Sequence, residues 1–551
     1  MGTAIQPTAQ ALQPPSDSWD LPQRIGFELR RNSPLARILE LMQNPEERPG
    51  IAGCAYDTAW LAGVPSPKDA QESRYPGCLE WLVDHQLADG SWGGTVQYEH
   101  DRILSTLAAL APLARFGHRG DDREAVVAGT RYLWQHGHRL SIEPIELVGF
   151  ELLLPTMIAR AQAAGVQVPP HLDVYRHERE TKLGLIPPEM LYSPRATIVH
   201  SLEFLGEQVN LEGLAAAQGS NGSIGNSPAA TAFLLGSARG NDRAAAYLDS
   251  CLNRAEEAMA PVLHPCETFE LLWAAYHLFI GGVPTSLIVP QQEIDSLVAA
   301  VSAEGQGVSL SSSSFPIPDA DDTAVAVLLL QHLGHNVGPA VLERFATRDG
   351  YFASFPHERH SSVGVNLHVL HALLRVMGYA NGEQTISHIL DYLADEQVSG
   401  LYWLDKWHIS PYYATAHALC VLAELPAEHA RRLAPMVERS RSWLRETQNA
   451  DGSWGYCGQP TPEETAYAVL ALAARDPGDL DEADRRRCAL AGRYLRRALL
   501  NTSRWDPEQV YPPLWIDKCL YTPTLVVRAA IEAASIVCAR VQQAKEESPL
   551  D

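Results

Sequence analysis

Apolar residues recur at i, i+3, i+4 and i+7 through most of this chain, and hardly any segment alternates with period two. The periodicity predicts helices of about 10–15 residues over 102–113, 148–161, 268–278, 323–333, 367–377, 412–425, 465–474 and 524–537. Many are apolar around most of their circumference, as inner helices of a double layer are. The predicted fold class is all-α.

An internal repeat sharpens this picture. Trp81-Leu82 followed by Gln86-Leu87-Ala88-Asp89-Gly90-Ser91-Trp92-Gly93 recurs at identical spacing as Trp443-Leu444 followed by Gln448-Asn449-Ala450-Asp451-Gly452-Ser453-Trp454-Gly455. A weaker copy is Gln218 with Asn221-Gly222-Ser223. In each, a helix ends at the glutamine and Asp-Gly or Asn-Gly makes a turn in which glycine supplies φ > 0. Each turn leads into a helix with the same opening: Thr106-Leu-Ala-Ala-Leu, Thr231-Ala-Phe-Leu-Leu or Thr465-Ala-Tyr-Ala-Val-Leu. The helix after Asp322 begins likewise, Thr323-Ala-Val-Ala-Val-Leu. The repeat is structural, and its two strong copies lie in different halves of the chain, which predicts two related helical barrels.

Composition narrows the function classes. A length of 551 residues suits two domains of roughly 200–300 residues. The net charge of −23 argues against a nucleic-acid or anionic-membrane surface. Nine cysteines with no C-x-x-C pair read as reduced thiols of a cytoplasmic protein. No run of about 18 uncharged apolar residues exists to span a membrane. The N-terminus has no signal-peptide pattern, and residues 1–22, rich in Pro, Gln and Ser, predict a disordered arm.

Candidate chemistry centres on Asp319-Ala320-Asp321-Asp322, set between Phe-Pro-Ile-Pro and the apolar run 325–330. Three carboxylates in four residues crowd like charges and raise the pKa of at least one. A carboxylic acid kept protonated at neutral pH can protonate a very weak base such as an isolated C=C bond. Asp319 also suits a plain helix N-cap, with acids in the first turn complementing the dipole.

The Gln–Trp turns are the QW motifs of terpene cyclases, and with the D-x-D-D tetrad the chain resembles class II terpene cyclases from about residue 50 to 535. Further matches are Ala55-Tyr56-Asp57-Thr58-Ala59-Trp60, Asp101-Arg102, Gly149-Phe150-Glu151-Leu152 with Pro155-Thr156, Lys182-Leu183 with Ile186-Pro187, and Asn366-Leu367-His368. The chain is most similar to bacterial diterpene cyclases of copalyl-, halimadienyl- or kolavenyl-diphosphate type. The resemblance implies a βγ didomain of two α/α barrels, with γ over 67–285 inserted in β over 23–66 plus 286–540. The class I pattern D-D-x-x-D is absent, since Asp121-Asp122-Arg123-Glu124 is followed by Ala125. The implied reaction is therefore protonation of geranylgeranyl diphosphate to a copalyl-like bicyclic diphosphate. The diphosphate would be retained for a separate class I synthase.

By the same resemblance Asp321 is the proton donor, Asp319 and Asp322 hold its geometry, and Asn366 orients the acid. His368 and His371 are read as structural. Aromatic faces stabilise a migrating cation, and Trp273, Trp403, Trp407, Tyr412 and Tyr413 are candidates, ahead of Trp515 and Tyr521. For the diphosphate the matching lysine is Lys182, followed by Arg102, Lys406 and Lys518. Mg²⁺ is the expected cofactor, with Glu143 and Glu146 standing where plant relatives carry a richer acidic motif. His357-Glu358-Arg359-His360 lacks H-E-x-x-H spacing and reads as loop. Other products in view are rearranged halimadienyl or kolavenyl diphosphate, or drimenyl diphosphate from farnesyl diphosphate. A squalene–hopene cyclase fits less well, and a helical-repeat binding protein without catalysis is the reading from another class. Monomer and homodimer are both compatible with the sequence.

Overall fold

The computed structural model describes residues 33–547, apart from 143–144, 239, 253–257, 303, 357, 359–360, 376–381, 476–479 and 502–510. The predicted arm over 1–22, Glu143 and most of the 357–360 segment lie outside the described residues. The described residues are mostly helical, with two short antiparallel pairs, Gly53–Cys54 with Ala260–Pro261 and Trp515–Ile516 with Leu520–Tyr521. Among them no helix is long and apolar enough to cross a membrane.

Two closed rings of inner helices organise the chain. The first runs Ala55–Ala62, Glu99–Phe116, Phe150–Ala163, the 3-10 segment Thr197–Gln208, and Pro228–Ser237, which returns to the first helix. The second has six members: Glu267–Ile280, Ala320–His332, Val363–Arg375, Pro411–Leu422, Pro462–Leu472 and Thr524–Glu547, the last closing on the first. Amphipathic helices such as Ala427–Glu446 and Glu482–Asn501 form an outer layer around the second ring. The helix Ala55–Ala62 closes the first ring and Glu267–Ile280 the second, so the γ-side ring starts before residue 67 and ends before residue 285. Inner helices are buried on every face, so apolar periodicity does not assign them to one ring or the other.

The inner helices start in a common way. Ser227, Ser410 and Thr461 cap helices whose first residue is Pro228, Pro411 or Pro462. The hydroxyl accepts an orphan amide and proline needs no acceptor for its own. The preceding turn is then pinned to the helix. A hydroxyl inside the helix accepts the turn's backbone N–H in Trp92→Thr106, Ile224→Thr231, Val308→Thr323, Trp403→Thr415 and Trp454→Thr465, at 2.9–3.1 Å. The turn glycines Gly90, Gly222 and Gly452 sit at φ of 91°, 90° and 94°, as the Asp-Gly and Asn-Gly pattern predicts.

The tryptophans close the repeat. Indole Nε1 donates to a carbonyl ten residues back in Trp92→Leu82, Trp403→Leu393 and Trp454→Leu444, at 2.6, 2.7 and 2.9 Å. Trp403 is thus a third staple of this kind, not a wall of a reaction cavity. Phenylalanine at 454 or 403 would keep most of the apolar ring but strand a buried carbonyl, at a cost of about 1–3 kcal/mol. Trp454→Phe and Trp403→Phe should each lower the urea midpoint accordingly. Wild-type stability in either would refute that staple.

Candidate active site

Neighbouring inner helices of the second ring meet through their first turns, and the tetrad stands among them. Asp319 is the N-cap of Ala320–His332, its Oδ1 accepting the Asp322 amide at 2.7 Å. The cap expectation and the like-charge expectation are therefore both met by the same residues. Burial, followed by the charges of Asp322 and Asp321, drives the Asp319 carboxyl well above the usual range. Burial and the Asp321 charge likewise lift Asp322 to about 7, against the indole of Trp273, which donates to its Oδ1 at 3.0 Å.

Asp321 is 9% exposed and points its Oδ1 at His368 Nδ1, 2.6 Å away. Among the described residues nothing hydrogen-bonds its Oδ2. Asn366, expected to orient the acid, makes no hydrogen bond to it among the described residues. Its Oδ1 accepts the Phe352 amide at 2.9 Å, and its Nδ2 donates to the carbonyls of Phe352 and Ser362. That places Asn366 in the slot occupied by Thr231, Thr323 or Thr465 in other repeats, which also donate to a carbonyl four residues back. His368, read from sequence as structural, makes the expected contact instead.

An aromatic wall adjoins the acid. Trp273 stands edge-on to His368 at 4.8 Å between ring centroids, and Tyr276 does so at 5.0 Å. Trp273 lies 6.0 Å from Trp515 and 6.4 Å from Tyr413, which are 5.2 Å apart, and Tyr521 follows 6.4 Å from Trp515. Trp515 and Tyr521, ranked low from sequence, are part of the wall. Tyr412 is not: it stacks on Trp443 of an outer helix at 4.8 Å. Trp407 is only partly buried and takes the Lys406 ammonium on its face at 5.0 Å, while its carbonyl accepts the Ile516 amide. Beneath Trp515, one oxygen of Glu463 accepts from its indole at 2.8 Å and from Tyr467 at 3.0 Å, with His408 Nε2 at 3.3 Å.

Most candidate cations serve the fold. Arg102 is buried and donates to the carbonyls of Gly94 and Thr95 and to Asp89 and Ser91, fixing the Trp92 turn. Lys518 is fully buried and donates to Glu203, Ser227 and the His200 carbonyl, joining the second ring's hairpin to the first ring. Burial alone would lower its pKa, but Glu203, Asp57 and Asp517 outweigh it and hold the ammonium charged. Lys406 pairs with Glu358 at 2.5 Å. Lys182 pairs with Glu151 and keeps 45% of its side chain exposed, so it retains access to a solvent-borne ligand. Glu146 is exposed and accepts from the Tyr175 hydroxyl at 2.6 Å.

Sequence reasoning passed over His368, His417, His277 and Glu463. Their signal was present: each is a polar residue in an apolar inner helix, and a buried imidazole or carboxylate requires a partner.

The raised Asp319 and Asp322 carboxyls bind protons more tightly folded than unfolded. They favour the fold below the ordinary carboxylate range, and that advantage is lost as pH rises to about 7. Asp322→Asn, whose amide oxygen still accepts the Trp273 indole, should therefore gain a few degrees in Tm over wild type between pH 5 and pH 8. Thermal melts across that range check it, and a constant difference would contradict the burial argument.

Known proteins resemble this chain over most of its length. The squalene-hopene cyclase C-terminal domain family matches residues 359–512. The chain is 32% identical over 507 residues to the type B diterpene cyclase of Mycobacterium tuberculosis, covering 88% of this chain and 95% of that protein. It is 33% identical over 488 residues to an ent-copalyl diphosphate synthase of Streptomyces sp. strain KO-3988, covering 85% and 90% respectively. The structure of ent-copalyl diphosphate synthase from Streptomyces platensis superposes with a TM-score of 0.74 at 29% identity, over 92% of this chain and 99% of that one. The two rings are thus the βγ didomain, and the chain belongs to the class II diterpene cyclases.

Proposed function

We propose that this protein cyclises geranylgeranyl diphosphate to a bicyclic, copalyl-like diphosphate by protonation, leaving the diphosphate on the product. The observation that carries the proposal is the placement of Asp321. Its Oδ1 is held by His368, its Oδ2 is unpartnered among the described residues, and Trp273, Tyr413 and Trp515 stand alongside.

In the proposed step the Oδ2–H bond breaks and its electron pair stays on Asp321. The π pair of the terminal alkene forms the new C–H bond. Positive charge then passes along the folded prenyl chain past the aromatic faces, which stabilise a cation without bonding to it. Loss of a proton from carbon ends the reaction, so the net change is isomerisation. Low dielectric around the aromatic wall strengthens the attraction between the carbocation and the carboxylate left behind.

The diphosphate needs a cationic partner, and Lys182 is the exposed candidate. Burial and then the charges of Glu146, Glu151 and Glu178 all raise the Tyr175 phenol, so an acidic patch surrounds it on the first ring. Such oxygen donors suit Mg²⁺, which takes one or two carboxylates and completes its shell with phosphate and water. Glu146 and Glu151 would hold the ion, whose role is to neutralise the diphosphate; Lys182 would bind a phosphate oxygen directly. A separate class I synthase would consume the product.

The test is incubation of purified protein with Mg²⁺ and, separately, geranylgeranyl and farnesyl diphosphate, followed by dephosphorylation and chiral chromatography with mass spectrometry. A C20 bicycle of labdane type is expected. A rearranged C20 skeleton, a drimenyl-type C15 product, or no product would each overturn the specific proposal. Asp321→Asn should cut turnover about 10³-fold or more with folding intact. Asn366→Thr, which restores the side chain used in the other repeats, should stay within about tenfold of wild type. Equal inactivity of the two variants would return Asn366 to the acid machinery.

A further inference from the structure

The hydrogen bond between Asp321 and His368 is the first link of a longer chain. His368 Nε2 lies 2.9 Å from His417 Nδ1, His417 Nε2 lies 3.3 Å from His277 Nε2, and His277 Nδ1 lies 3.3 Å from the Val526 carbonyl. The five groups come from five different inner helices, and each imidazole is 0–1% exposed. The sixth inner helix supplies Tyr467, whose ring lies 5.5 Å from His277 and 6.1 Å from His417.

The carbonyl end gives this chain a direction. A carbonyl oxygen only accepts, so His277 carries its proton on Nδ1 and offers a lone pair at Nε2. His417 must then donate from Nε2 and accept at Nδ1. His368 must donate from Nε2, which leaves its Nδ1 facing Asp321 with either a lone pair or the extra proton of an imidazolium. In both states one proton lies between Nδ1 and Oδ1. Burial drives His417 well below the ordinary histidine range and His277 down to about 3, so each stays a neutral, single tautomer. The other titratable groups facing the chain are Asp319 and Asp322 at its Asp321 end, and Tyr276, Tyr413, His371 and His408, beside Tyr467.

We infer that His417 and His277, anchored on the Val526 carbonyl, are positioning residues that lock the tautomer of His368 and so hold one proton between His368 and Asp321 Oδ1. When His368 is the imidazolium its Nδ1–H fills Oδ1, so the carboxyl proton of Asp321 stands on Oδ2, from which it can be given away. Acceptance by His417 also stabilises the imidazolium form of His368, which pairs with the carboxylate once Oδ2 has lost its proton. This inference rests on the proposed acid role of Asp321 for its functional consequence, though not for the tautomer pattern.

Two measurements separate those layers. In ¹⁵N-histidine spectra of the wild-type protein, His277 should be protonated on Nδ1, and His417 and His368 on Nε2, with signals assigned by single variants. His417 protonated on Nδ1 would overturn the lock whether or not the protein turns over any prenyl diphosphate. In kinetics with geranylgeranyl diphosphate, His417→Phe removes the acceptor for His368 Nε2, whereas the Asn side-chain oxygen in His417→Asn can still accept. The Phe variant should lose about tenfold or more in kcat with KM nearly unchanged, and its kcat–pH profile should shift. His417→Asn should recover most of kcat and the wild-type profile. A folded Phe variant with wild-type kcat and pH profile would overturn the inference, as would equal losses in the Phe and Asn variants. Absence of turnover in wild type would count against the proposed function and leave the spectra to decide the lock.

Discussion

Every inner helix begins with amide groups that have no partner within the helix. In the second ring, first turns of neighbouring helices face one another inside the protein, where water does not satisfy those amides. Caps are therefore obligatory, and they come as hydroxyls and carboxylates: Ser362, Ser410 and Thr461, with Asp319, Asp405 and Glu464 beside them. The acidic site grows out of this requirement. Asp319 caps a helix as any aspartate would, and its neighbours at 321 and 322 then enter a buried first turn. A helix N-terminus alone would make these acids stronger. Burial and mutual repulsion win at Asp319 and Asp322, and burial also lifts Glu464 despite three hydrogen bonds that favour its charge.

The hairpin Trp515–Tyr521 links this site to the other ring. Its tip carries Lys518 into the first ring between Glu203 and Ser227, with Asp57 at 3.9 Å. The Asp517 carbonyl accepts the Val148 amide, and Asp101 accepts the Leu520 amide. An ammonium in so dry a place is tolerable only with partners already in position. The same hairpin places Trp515 and Tyr521 against Trp273 and Tyr413. Electrostatics in one ring thus fixes aromatic geometry in the other, and breaking a buried pair there would disturb the wall without any change in its residues.

Much of this was legible in the sequence because it is local. The 3.6 period, the Asp-Gly turns, the Ser-Pro and Thr-Pro helix starts and the crowding of the tetrad all act within a few residues. What could not be read depends on register between helices distant in the chain. Asn366 differs from its counterparts Thr323 and Thr465 in type, so it looked like chemistry; only the shared contact to a turn amide shows that it is the same part. Arg102 holds one turn and Trp403 sits in another, and the copies of these turns vary enough to hide their structural duty. His277 and His417 lie 140 residues apart, with His368 between them, and no spacing rule links the three. The position of Ala55–Ala62 in the first ring is likewise a matter of which partner it meets.

A site that generates a carbocation faces a conflict between stabilising positive charge and surviving it. Free carboxylates near the wall would attract the cation but also capture it or take its proton too early. The structure answers this by occupying carboxyl oxygens with donors: one Glu463 oxygen holds the Trp515 indole and the Tyr467 hydroxyl, and Asp322 holds the Trp273 indole. Those same bonds push electron density into the donating rings and orient the faces that remain. Among the described residues the second Glu463 oxygen has no hydrogen bond but is sealed in the interior; Asp321 differs in that it stays 9% exposed around its own unpartnered oxygen. On the proposed reaction, this asymmetry is what makes one acid of the cluster reactive while its neighbours stay electrostatic supports. Residue type does not distinguish them, since all three members of the tetrad's charge are aspartates. The distinction lies in which oxygen each one has left over.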